Sequence, residues 1–177
     1  MNELSQSNTT FKPRLTLALL LLGLVVVGFD QFCKWYVYTH VSSIESALYW
    51  YPYGGIPVFE NWHGIEFSIN YMTNKGAAWG AFGNYQLALV ILRIALILGL
   101  MIYLSVAKLP RAIQIPLTLI IAGAVGNVTD YFVYGQVIDM FHFVIGGYDF
   151  PIFNLADSAI TLGIGALFCS SWVTQTE

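Results

Sequence analysis

Phe153-Asn154-Leu155-Ala156-Asp157-Ser158-Ala159-Ile160 sets an acid and two polar partners at the very start of an apolar run that continues to Val173. An ionisable residue at the mouth of a stretch able to cross a bilayer is costly, and marks a functional site by default. Asn154 with Asp157 fits a plain helix start equally well, an N-cap amide followed by an acid that the helix dipole favours. A second acid, Asp139 in Val137-Ile138-Asp139-Met140-Phe141, stands upstream across a short connection with a Gly146-Gly147 turn. It tilts the balance toward a paired site.

The chain around this stretch has 177 residues, 57% hydrophobic and 10% charged, with a mean hydropathy of +0.67. Lipid is therefore the solvent to consider first, for one compact unit. The net charge is -3 and the 7 Lys and Arg are dispersed, which leaves no electrostatic footprint for nucleic acid. Cys33 and Cys169 both lie inside apolar runs, as free thiols that pack like small hydrophobes, not as a disulfide framework.

The expected fold is an integral membrane protein, mainly α, with four transmembrane helices and a small β-rich extracytoplasmic subdomain. Residues 1–14 are a polar tail carrying Lys12 and Arg14. Residues 15–38 are a retained first span, because no small-x-small cleavage site follows. Residues 39–84, with Trp50, Tyr51, Pro52 and Trp62, are too aromatic for a linker and too broken for a helix, and Ile65 to Met72 alternates as a strand does. Such a sheet suits the membrane interface. Residues 85–106 are the second span, 107–111 a tight turn with Lys108 and Arg111, and 112–134 the third span. Residues 135–153 are an outer loop, 154–173 the fourth span and 174–177 a tail. Lys12, Arg14, Lys108 and Arg111 fall on one side, whereas the two long loops hold only Lys75. By the positive-inside rule both termini are cytoplasmic and the key acids are outside. No internal repeat is present.

Polar residues in the spans require partners. Asp30 and Lys34 are four apart in the favourable acid-first order. They either simply neutralise each other or act as a support, Lys34 anchoring at the surface while Asp30 orients backbone. Asn74-Lys75-Gly76-Ala77-Ala78 is an ordinary turn, or a place where small residues let an extended peptide approach. Gly123-Ala124-Val125-Gly126-Asn127-Val128-Thr129-Asp130 offers a small-residue packing face. The glycines do not explain Asn127 and Asp130, an amide and an acid in a low-dielectric setting. Arg93, alone in the second span, is expected to pair with Asp130.

Two carboxylates held close cannot both ionise, so one keeps its proton near neutrality while the other stays charged. Asp139 and Asp157 would then supply a general base for water and a general acid for the leaving group, without cofactor or metal.

With these residues laid out, the chain resembles the lipoprotein signal peptidases, or signal peptidase II, the aspartic membrane peptidases of bacteria. The resemblance rests on Asp30-Gln31-x-x-Lys34, Asn74-x-Gly76-Ala77-Ala78, Gly126-Asn127-x-x-Asp130, Val137-Ile138-Asp139 and Phe153-Asn154-x-Ala156-Asp157-Ser158, five motifs in this order over four spans. It implies an aspartic endopeptidase of the inner membrane, active at the periplasmic face and working as a monomer. This enzyme would cleave the signal peptide from prolipoproteins carrying diacylglycerol on their cysteine, just before that residue. Asp139 and Asp157 match the catalytic pair, and Asn127 and Asn154 match residues that position it. The partners implied are diacylglyceryl-prolipoproteins, membrane lipids and the antibiotic globomycin, which occupies the substrate groove. Two positions depart from the pattern. Family members typically carry Arg where Tyr131 stands and Phe where Trp79 stands, and Arg93 is expected to supply the missing charge.

Two other readings differ in class. A proton-coupled transporter would use Asp30, Asp130, Asp139 and Asp157 as a relay through the membrane depth, and would show a repeat. A non-catalytic prolipoprotein-binding homologue would bind precursor without cutting it. A metal held by Asp139, His142 and Asp157, or a Ser-His enzyme around Ser158 and His142, lacks a supporting motif.

Overall fold

The computed structural model describes residues 17–41, 55–76 and 81–173. The tail cations Lys12 and Arg14, the aromatic segment at Trp50 to Pro52, and Ala77, Ala78 and Trp79 lie outside the described residues.

Four helices form the body: α1 (Leu17–His40), α2 (Gln86–Val106), α3 (Arg111–Tyr134) and α4 (Leu155–Val173). The first three are long and apolar enough to cross a membrane. The 19 residues of α4 rise about 28 Å at 1.5 Å per residue, close to the hydrocarbon thickness. Apolar residues face outward around α2, including Leu87, Ile91, Leu92, Leu96 and Ile102. Water would penalise that surface and lipid does not. The chain is a mainly helical integral membrane protein.

Close approach of α3 to α1 and α4 depends on small residues. A Cβ at Gly126 would lie 2.7 Å from Asp30 Oδ2 and 3.2 Å from the Ala156 Cβ, and one at Gly123 would collide with the Ala156 carbonyl. One at Gly163 would meet the Pro116 carbonyl oxygen at 2.7 Å. The glycine face read from sequence as a packing surface is therefore the seam between α3 and α4.

At one end of the bundle lies a four-stranded antiparallel sheet in the order β1 (Ile56–Trp62), β2 (Ile65–Asn74), β3 (Val137–Ile145) and β4 (Tyr148–Asp149). The stretch 135–153, expected as an outer loop, supplies β3, one of the two central strands. Its buried pattern, near-continuous from Val137 to Met140, hides the alternation that marks a half-exposed strand. Gly146 and Gly147, with φ of 56 and 80°, make the tight β3–β4 turn such a hairpin requires. Ile138 and Met140 pack on Val37 and Val41 at the end of α1, which fixes the sheet to the helices. The β2–β3 register sets Asn74 opposite Val137 and Met72 opposite Asp139, past an irregularity between Ile69 and Met72. One end of β3 thereby meets the start of α4.

Candidate active site

The start of α4 serves two purposes at once. The Asp157 amide donates to Asn154 Oδ1 at 2.8 Å, and the Asn154 amide donates to Asp157 Oδ2 at 3.3 Å. This is a reciprocal cap of the first turn. The helix-start reading thus describes Asp157 Oδ2 and leaves Oδ1 free for another donor, Asn127 Nδ2, at 2.7 Å. Asn154 Nδ2 reaches Asp139 Oδ1 at 2.8 Å, with longer contacts to Asn127 Oδ1 and the Ile138 carbonyl at 3.1 and 3.2 Å. Asn74 Nδ2 approaches Asp139 Oδ2 at 3.3 Å, and Asn74 Oδ1 is held by the Gly76 amide at 2.9 Å. Two carboxylates, one from β3 and one from the start of α4, are thereby presented to one site by three asparagines.

The amides are oriented from beneath by an ionic cluster. Lys34 Nζ lies 2.8 Å from Asp30 Oδ2, 2.7 Å from Asp130 Oδ2 and 3.1 Å from Asn127 Oδ1, so all three ammonium hydrogens are used. An ammonium only donates, which commits Asn127 Oδ1 to face it and turns Nδ2 toward Asp157. Lys34, Asp30 and Asp130 are all 0% exposed, so of the two readings of Asp30 and Lys34 the mutual neutralisation is made and the surface anchoring of Lys34 is not. Lys34 is the cation of a buried triad. Asp30 Oδ1 accepts the Ala156 amide at 2.9 Å and Asp130 Oδ2 the Ile138 amide at 3.2 Å. Each acid ties the cluster to the backbone beside one of the paired aspartates. Ala156, 0% exposed, is small enough to sit under this seam.

The expected pairing of Arg93 with Asp130 is not made. Asp130 is taken by Lys34 and by Gln31 Nε2 at 2.7 Å, and Arg93 Nη2 donates to the Gly76 carbonyl at 3.0 Å. Spacing along a helix gives depth but not azimuth, and Asp130 faces α1, not α2. Gln31, which also donates to the Gly126 carbonyl at 3.1 Å, is a supporting residue that the sequence reading quoted in a motif without giving it a role. An amide beside Asp30 inside a span was the available signal. The Tyr131 ring meets Phe132 edge-on with 5.4 Å between centroids. His142 Nε2 meets Asp149 at 2.5 Å, away from the aspartate pair. Among the described residues no three His, Cys, Asp or Glu side chains gather for a metal.

Asp139, on β3 and 4% exposed, is pushed up to about 7. Burial is the main cause and the nearby Asp157 charge adds to it, while Asn74, Asn154 and Lys34 pull the other way. A cleft of about 360 Å³ opens over the pair. Pro151, Ile152 and Phe153 border it on the sheet side, and Arg93, Ile160 and Thr161 on the helix side. One acid that holds its proton near neutrality beside a second carboxylate in one cleft can serve general acid–base chemistry.

Comparison with known proteins points to a family of bacterial membrane peptidases. The family model described as signal peptidase (SPase) II matches residues 22–173. A lipoprotein signal peptidase of Anoxybacillus flavithermus is 34% identical over 161 residues, 89% of this chain and 86% of that one. One from Chlamydia pneumoniae is 44% identical over 105 residues, 58% of this chain and 62% of that one. A bacterial membrane enzyme structure solved by the in meso method at 2.3 Å resolution superposes with a TM-score of 0.73 at 28% identity, covering 89% of each chain.

Proposed function

The chain belongs to the signal peptidase II family, and on that footing we propose that it is an aspartic endopeptidase that removes the signal peptide from diacylglyceryl-modified prolipoproteins, cutting just before the lipidated cysteine. The reading is carried by one observation, that Asn127 and Asn154 hold Asp157 and Asp139 side by side at 2.7 and 2.8 Å in one cleft. Asp139 keeps the proton, as its burial favours, and Asp157 acts as the base. Water loses a proton to Asp157 and adds to the scissile carbonyl carbon, while Asp139 protonates the carbonyl oxygen. The tetrahedral diol then collapses. The leaving nitrogen takes the proton from Asp157 as the C–N bond breaks, and a diol hydroxyl returns its proton to Asp139. No covalent intermediate forms. The substrate's acyl chains remain in the bilayer beside the cleft, and the active site stands at the periplasmic face of the inner membrane.

The test is cleavage of a diacylglyceryl-modified prolipoprotein by purified protein in detergent, beside Asp139→Asn and Asp157→Asn. Turnover by the parent and its loss in both variants is the expected result. Near-normal turnover in either variant removes the dyad mechanism. Tight precursor binding by a folded parent that never cuts would leave the non-catalytic homologue as the reading.

A further inference from the structure

Arg93 is the eighth residue of α2 (Gln86–Val106), about 10 Å below the end of that helix nearest the sheet at 1.5 Å per residue. Helical side chains lean toward the N-terminus, so the guanidinium reaches back up to the Gly76 carbonyl at 3.0 Å. It borders the same cleft as Asp139 and Asp157, on the helix side with Ile160 and Thr161. Among the described residues the ion pairs are those of Lys34 and His142, and none of them neutralises Arg93.

One backbone carbonyl does not call for a guanidinium. A neutral donor would satisfy Gly76 without the penalty a cation carries in a span. The remaining N–H groups of a five-donor fork, on the membrane side of a catalytic cleft, suit a ligand that brings several acceptors and no cation. An apolar leader segment arriving from the bilayer as a helix brings such acceptors. The last turn of any helix leaves four carbonyls without intrahelical partners and carries the negative end of the dipole. In lipid those carbonyls have no water to bond. We propose that Arg93 is a substrate-positioning residue that receives the backbone carbonyls at the C-terminal end of the leader segment and holds the scissile bond at the Asp139–Asp157 pair. The inference rests on the peptidase reading above.

The experiment uses the full-length protein in phospholipid-free detergent with a fluorogenic diacylglyceryl lipopeptide, comparing Arg93→Gln and Arg93→Lys with the parent. Positioning of bound substrate predicts a KM raised about tenfold or more in Arg93→Gln with kcat within about threefold, and partial recovery in Arg93→Lys. The pH profile should stay in place. If Arg93 serves only to hold the Gly76 turn, its loss frees Asn74 from Asp139. In that case kcat falls and the profile moves upward, a result that overturns the proposal. Unchanged kinetics in a folded Arg93→Gln would also overturn it. So would an effect that appears only when phospholipid is added, since that assigns the guanidinium to headgroup phosphate. Lipopeptide binding to Asp139→Asn, with and without Arg93→Gln, reads the same contact without turnover. A tenfold weaker binding there supports the role of Arg93 even if the parent fails to cut, whereas equal binding rejects it.

Discussion

Replacing Asp139 by Asn should inactivate the protein and stabilise it, and the gain should depend on pH. The carboxyl titrates at about 7 in place of the ordinary 3.8, chiefly through burial. At about 1.4 kcal/mol per pKa unit, the ionised carboxylate costs the fold about 4 kcal/mol above pH 7 and less than about half of that at pH 5. The sign follows from proton uptake. The folded state binds this proton more tightly than the unfolded chain, so the cost is absent below about pH 4, grows between about 4 and 7, and is complete above that. An asparagine cannot ionise and escapes the cost. It has one acceptor oxygen where Asn74 and Asn154 present two donors, which returns about 1 kcal/mol. The net is a variant about 3 kcal/mol more stable than the parent at pH 8 and close to it at pH 5. For a chain of this length that is a midpoint raised by about 6–12 °C at pH 8 and by less than about 3 °C at pH 5. Thermal unfolding of both proteins in one detergent, from pH 5 to 8, measures it. A difference that stays flat with pH, or a variant less stable at pH 8, would refute the buried, proton-holding Asp139.

Two further outcomes follow from the same geometry. Lys34→Met leaves two wholly buried carboxylates without a cation and should cost about 3–5 kcal/mol; adding Asp30→Asn and Asp130→Asn should recover much of the lost thermal midpoint, and a single variant that melts with the parent would show that the triad carries no such load. Gly126→Ala pushes a methyl to 2.7 Å from Asp30 Oδ2 and should destabilise by about 1–3 kcal/mol, whereas Gly28→Ala, with nothing within 4 Å, should be neutral or stabilise by up to about 1 kcal/mol. Equal midpoints for the two glycine variants in detergent would contradict the α1–α3 contact.

Composition and hydropathy reveal the solvent, because an all-round apolar helix has no other stable environment. The glycine face of α3 and the acid at the mouth of α4 are legible because small size and charge in lipid carry meaning wherever they occur. The β3 strand is not legible, since a strand buried on both faces loses the period-two signature. Nor is the true partner of Arg93.

What the sequence determined by itself is which residues must find partners and at what depth, since rise per residue is constant along a helix. Which partner each one takes was decided only by tertiary structure. Azimuth turns Asp130 toward α1 and Lys34, and leaves Arg93 for the Gly76 carbonyl. Lys34, able only to donate, orients Asn127 and so presents Asp157. The register of β3 carries Asp139 to the other side of Asn154. Those choices depend on how four helices and a sheet pack together, which no single segment encodes.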